Sequence, residues 1–177
     1  MTKRTSLGYP VPHMRVWTLR KGAEKRFQSG HPWVFSNELN ESPKGAVPGE
    51  LITLVDFQGR FLALGYGNPK SLIAFRTLSR SPEDQIVAAW WAQRFLSASQ
   101  LRKNCGVDRF SHRLIFAESD GLPGLIIDRY LVSPNSISNG VAQIFVVSSS
   151  TAGIEAQLPE ILKGLEIYVS RSGSLSW

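Results

Sequence analysis

Cysteine is almost absent from this chain. Cys105 stands alone among 177 residues, which excludes an internal disulfide and a cysteine-based metal cluster within the chain. A chain without disulfides fits a reducing, cytoplasmic compartment. No run of about eighteen apolar residues occurs, so no helical membrane span is encoded. Lys3 and Arg4 are followed by no apolar stretch, so the N-terminus does not read as a secretory signal. Acidic residues are scarce at the front: before residue 31 only Glu24 opposes Lys3, Arg4, Arg15, Arg20, Lys21, Lys25 and Arg26. A glycine-rich phosphate loop is lacking as well. Gly65-Tyr66-Gly67-Asn68-Pro69 is the nearest glycine pair, and a proline and a further strand follow it where a helix would be needed.

What is present has the composition of a folded protein. Hydrophobic residues make up 42% and aromatics 10% of the chain, enough for a core in one ordinary domain or two small ones. The net charge of +6 and pI of about 9.8 are those of many nucleic-acid-binding domains. A basic first segment suits a polyanion, and it also suits a merely solvated surface; charge alone leaves both open.

Along the chain, residues 1–13 are polar and turn-rich and are expected to be disordered, with Met14 an alternative start. Arg15-Val16-Trp17-Thr18-Leu19-Arg20 alternates as a strand does. Lys21-Gly22 turns into a short basic helix over 23–29, and 30–37 follows as an irregular, aromatic-rich connection. Glu50 to Val55 and Arg60 to Tyr66 flank an Asp56-Phe57-Gln58-Gly59 turn, and 72–78 gives another strand. Short strands with few helices suggest a closed or nearly closed β-barrel. Ser81-Pro82-Glu83-Asp84 carries the N-cap, first-turn proline and first-turn acids of a helix start, so a helix is expected over 81–104, with Gly106 as its cap. Residues 113–130 read as a hairpin whose turn contains Gly121 and Gly124. A strand over 141–147 and a helix over 152–165 come next, with Pro159 at a kink or boundary. Residues 131–140 read as an inserted loop and 166–177 as an irregular tail.

Two segments are more specific than their secondary structure requires. The first is Arg113-Leu-Ile-Phe-Ala-Glu-Ser-Asp-Gly-Leu-Pro-Gly-Leu-Ile-Ile-Asp-Arg-Tyr130. The second is Lys21-Gly22-Ala23-Glu24-Lys25-Arg26 followed by Gly30-His31-Pro32-Trp33-Val34-Phe35-Ser36. Lys21, Lys25 and Arg26 are suited to phosphates, and imidazole or aromatic faces to unstacked bases; Trp33 and Phe35 are expected in the core. Glu118, Asp120 and Asp128 could form an acid/base or cation-binding cluster. With no other ligand set nearby, Asp120 is expected to cap its own turn, and Asp128 or Glu118 to pair with Arg113 or Arg129.

Together the two segments, over about residues 14–165, resemble a family of bacterial SAM-dependent methyltransferases that modify a cytosine carbon (C5) in large-subunit ribosomal RNA. Members carry an N-terminal PUA domain, a small linking α+β domain and a Rossmann-like catalytic domain. The resemblance implies an α+β chain: a PUA-like β-barrel over 14–80, a linking helix over 81–106 and an incomplete α+β module over 107–165. It implies RNA binding and substrate positioning in rRNA processing, with Lys21, Lys25, Arg26, His31, Arg113 and Arg129 as RNA-binding residues. SAM (S-adenosyl-L-methionine) is the cofactor the resemblance implies for the full-length family. This sequence has no counterpart of the family's cofactor motifs or catalytic cysteine; Cys105 falls at a helix C-terminus, where the dipole disfavours a thiolate. No catalytic, cofactor-binding or metal-binding residue is therefore expected in the chain itself, which reads as an N-terminal piece whose partner is RNA, with a homodimer or a separate catalytic domain also possible. The rival reading is a protein-interaction or dimerisation module.

Overall fold

The computed structural model describes residues 14–132 and 142–172. The expected disorder of 1–13 and most of the expected inserted loop lie outside those residues. Leu131 and Val132 belong to a strand. The chain divides into two compact units, one up to Pro82 and one from Glu83, and its class is the expected α+β.

The first unit is a five-stranded sheet. Strands β1 (Arg15–Thr18), β2 (Trp33–Phe35), β3 (Leu51–Val55), β4 (Phe61–Gly67) and β5 (Ile73–Ser79) lie in the order β1-β3-β4-β5-β2. β1 runs parallel to β3 and the other neighbours pair antiparallel. Alternation works as expected in β3, where Ile52 and Leu54 are buried and Leu51, Thr53 and Val55 are partly exposed. After β2 the chain makes a 3₁₀ turn (Ser36–Glu38) and returns to the end of β1. There Arg20 N–H donates to the Glu38 carbonyl and Asn40 N–H to the Thr18 carbonyl, both at 2.8 Å. This bridge brings the two outer strands together, so the sheet is nearly closed around Trp17, Leu19, Phe27, Val34, Leu39 and Phe75. Residues 30–37 thus contain a strand, where an irregular connection was expected. Three residues are too short for a periodicity to show, yet Val34 is buried between Trp33 and Phe35 as in any strand.

The second unit pairs a three-stranded antiparallel sheet with two helices. Strands β6 (His112–Phe116), β7 (Leu125–Val132) and β8 (Ala142–Ser149) lie in chain order. The expected hairpin is present. Its reversal contains a 3₁₀ turn (Ala117–Asp120), then Gly121 at φ +70° and Gly124 at φ +79°, the left-handed values that favour glycine. Helix α2 (Ala88–Asn104) packs its buried Trp91, Ala92, Phe95 and Ala98 toward α3 (Ala152–Ser172), which buries Ile154, Ile161, Leu165 and Tyr168.

Two expectations in this unit are corrected and a third, the kink or boundary at Pro159, is narrowed. Helix α2 begins at Ala88 and packs within the unit, so 81–87 are not its first turns. Ser81 N–H instead bonds the Ser79 hydroxyl, and Asp84 accepts from the Trp90 indole at 2.9 Å. The first-turn N–H of Ala88 is met by Glu160 of α3 at 2.8 Å, so the cap is tertiary. Pro159 makes no boundary; α3 passes through it. The segment 166–172 is helical, not irregular, held where the Tyr168 ring meets Phe95 and Phe145 edge-on and its hydroxyl meets Ser99. Gly106, at φ +71°, sits past the C-cap Cys105 with Val107 N–H bonded back to the Arg102 carbonyl, as the sequence suggested.

Candidate nucleic-acid interface

The short helix α1 (Glu24–Gln28) follows β1 because Lys21-Gly22 allows a tight turn, with Gly22 at φ +96°. Its one buried side chain, Phe27, anchors it to the core. Lys21 and Lys25 are left exposed. Lys21 lies over the Phe57 ring, 5.9 Å from its centroid, and Lys25 has no side-chain partner among the described residues.

Arg26 is held quite differently. Its guanidinium grips Glu38 through Nε (3.1 Å) and Nη2 (2.5 Å), donates to the Trp33 carbonyl at 3.1 Å, and meets His31 Nε2 at 3.3 Å. Glu38 also accepts the Phe35 N–H at 2.7 Å. Arg26 Cζ lies over the Phe35 ring, 4.9 Å from its centroid. Arg26 and Glu38 therefore tie α1 to β2 and the 3₁₀ turn. His31 belongs to the same tie: its Nδ1 faces the Trp33 backbone and its carbonyl accepts from Arg80 at 3.2 Å. Of the four site residues expected in this unit, Lys25 is free at the surface among the described residues and Lys21 touches only the Phe57 ring, while Arg26 and His31 have their polar atoms engaged within the fold.

The two expected residues of the second unit have partners as well. Arg113 is exposed and pairs with Asp128 at 2.9 Å and 3.2 Å. Hydrogen bonding to that carboxylate raises the guanidinium pKa above its ordinary value. Arg129 is buried, donating to the Gln143 side chain and the Asp108 carbonyl at 2.9 Å and 3.1 Å. A guanidinium so enclosed braces β7 against β8, with Nε and Nη1 already engaged within the fold. Asp120 does cap its own turn, accepting the Phe116 N–H at 2.6 Å, and it also takes both arms of Arg102. Among the described residues no three His, Cys, Asp or Glu side chains gather as metal ligands would, and Cys105 is exposed.

Sequence reasoning missed two features. One is the pair Lys44 and Lys70, exposed and without side-chain partners among the described residues. The other is a surface depression of about 600 Å³ lined by Arg26, Phe35, Ser36, Asn37, Glu38 and Leu72. Leu72 is distant in sequence from the others, so only the pairing of β2 with β5 brings it there. The charge is also segregated by unit: residues 1–82 hold 12 Lys and Arg against 5 Asp and Glu, and residues 83–177 hold 8 against 9. The whole positive excess thus belongs to the first unit.

Comparison with known domains agrees with this nearly closed sheet, for residues 18–80 match the PUA-like domain family. That stretch is similar to a PUA-like domain. The chain is 38% identical over 152 residues to Ribosomal RNA large subunit methyltransferase I of Cronobacter sakazakii, covering 84% of this chain and 35% of that protein. It is 32% identical over 168 residues to Ribosomal RNA large subunit methyltransferase of Deinococcus radiodurans, covering 92% and 38%. The chain thus spans little more than a third of the length of these relatives. A solved structure, SMU.776, described as a candidate methyltransferase complexed with SAH, shares its fold with a TM-score of 0.64 at 16% identity, over 89% of this chain and 38% of that one. No helix among the described residues is long and apolar enough to cross a membrane.

Proposed function

We propose that this chain is the RNA-binding and substrate-positioning portion of a cytoplasmic large-subunit rRNA methyltransferase acting at cytosine C5. In this reading the PUA-like unit meets the phosphate backbone through Lys21 and Lys25, which position RNA without specifying sequence. Arg26 and His31 shape that surface from beneath, and Arg113 is a peripheral contact. The observation that carries the reading is the confinement of the positive excess, with its unpaired lysines, to the PUA-like unit.

The cofactor implied by the relatives is SAM. The residues present do not fit it. The sheet of the second unit is antiparallel throughout, and the parallel strand β1 of the first unit leads through a single glycine, Gly22, into the five-residue helix α1, where such a cofactor is seated on a glycine-rich turn that opens a full helix. No step through SAM is assigned to these residues. The chemistry is proposed to reside in sequence like the further length of the relatives that this chain does not span.

Photocrosslinking of the chain to large-subunit rRNA fragments, with the linked peptides mapped by mass spectrometry, tests the assignment. Crosslinks should concentrate on peptides of the first unit. Crosslinks confined to residues beyond 83 would refute it.

A second reading, protein docking or dimerisation through the other unit, is favoured by one observation. Tyr130 and Val132 on β7 and Ile144 and Val146 on β8 are all exposed, and Tyr130 lies directly opposite Ile144 in the ladder. Exposed apolar patches of this kind mark interaction surfaces.

A further inference from the structure

We propose that the depression beside α1 takes an unpaired nucleobase of single-stranded RNA, an inference that rests on the RNA-binding reading and gives it a base-recognition site. Its walls are apolar: the half-buried Phe35 ring on one side and Leu72, 79% exposed, on the other. A leucine so open to water beside an aromatic ring loses unfavourable hydration when a flat π-system covers both. The polar groups at the rim are unspent, for neither the Ser36 hydroxyl nor the Asn37 side-chain amide has a hydrogen-bond partner among the described residues. An amide offers a donor and an acceptor side by side, the pattern that base edges present. The Arg26 side of the depression is fixed. Arg26 spends its N–H groups on Glu38, Trp33 and His31, and its Cζ lies 4.9 Å from the Phe35 ring centroid, a guanidinium–aromatic pair of the kind on which bases stack.

The surroundings suit a nucleotide better than a neutral ring compound. Lys25 neighbours Arg26 on α1, and Lys70 stands two residues before Leu72; both are exposed and unpaired among the described residues. Phosphates on either side of a seated base would find these cations. The ligand class that uses apolar walls, an amide at the rim and flanking ammonium groups together is an unstacked nucleotide within a strand.

The test measures binding of the full chain to two probes of equal length. One is a single-stranded oligoribonucleotide of about eight nucleotides, and the other its abasic ribose-phosphate analogue. The proposal expects the base-bearing probe to bind about tenfold more tightly, the scale of one base–aromatic stack. The double substitution Asn37→Ala with Leu72→Ser, both at exposed positions where folding is undisturbed, should remove most of that difference. It should leave the affinity for the abasic probe and the salt dependence unchanged. Lys25→Ala with Lys70→Ala should weaken both probes and flatten the salt slope by about 0.7 per lysine. Equal binding of the two probes by the wild-type chain, or a pocket variant that weakens both alike, would overturn the base site while leaving phosphate binding intact. Failure of the wild-type chain to bind either probe would overturn the RNA-binding reading together with this one.

Discussion

Asp56 illustrates how much a single turn residue can hold. It is buried, and burial pushes its pKa up. The backbone N–H and guanidinium of Arg60 and the backbone N–H of Gln58 push it down further, leaving it below the ordinary 3.8. A carboxyl with a lowered folded pKa contributes stability that is fully present above its unfolded value and lost as pH falls through the folded one. Asp56→Asn should therefore lower the melting temperature at neutral pH, and the gap from wild type should close on acidification below about pH 4. Melting curves from pH 7 to pH 2 check this, and a constant gap would contradict it. Arg26 and Lys25 make a contrasting pair of neighbours on α1. Arg26→Ala breaks the tie to Glu38 at a half-exposed site and should cost about 1 kcal/mol in a denaturant titration. Lys25→Ala, with no partner to lose, should leave stability within about 0.5 kcal/mol of wild type.

At the level of elements, close approach decides two positions. Gly164 of α3 faces α2 so closely that a Cβ there would lie 2.6 Å from Trp91 Cβ and 2.9 Å from the Ala88 carbonyl oxygen. Gly164→Ala should force the helices apart and destabilise by about 1–3 kcal/mol, despite alanine's better helix propensity; a stabilised variant would show that the helices do not pack as described. Gly124 combines φ +79° with a Cβ position 2.5 Å from the Thr151 side chain, so Gly124→Val should likewise cost about 1–3 kcal/mol. The same scale shows what sequence patterning could and could not convey. β3, β4, β5 and the 113–130 hairpin were legible because alternation and turn residues act locally. The start of α2 was not, because Asp84 is taken up by Trp90 and the cap comes from Glu160, 72 residues from Ala88. The last turns of α3 were hidden for a related reason: Ile167, Tyr168 and Val169 have no strong helix preference, and tertiary contacts of Tyr168 hold them. In the candidate interface, Lys21 and Lys25 could be found from charge alone. The engagement of Arg26 with Glu38, and the meeting of Leu72 with Phe35, depend on the sheet closing.

Across the whole molecule, charge and apolar surface are divided between the two units. The first unit carries the positive excess, and the second unit is near neutral with an apolar sheet face. A polyanion should therefore be captured by the first unit while the second remains available for a protein contact. Lys25, Lys44 and Lys70 are exposed with no side-chain partner among the described residues, and Lys21 touches only the Phe57 ring, so removing the four tests RNA capture with no internal hydrogen bond or ion pair lost. The decisive measurement is the affinity of the full chain for a structured rRNA fragment across a salt series, with wild type and the quadruple Lys→Ala variant side by side and circular dichroism confirming equal folding. RNA capture by the PUA-like domain predicts weaker binding by the variant and a log–log salt slope reduced by about 0.7 to 1 for each lysine that meets a phosphate. Equal affinity and equal slope for the two proteins would contradict it.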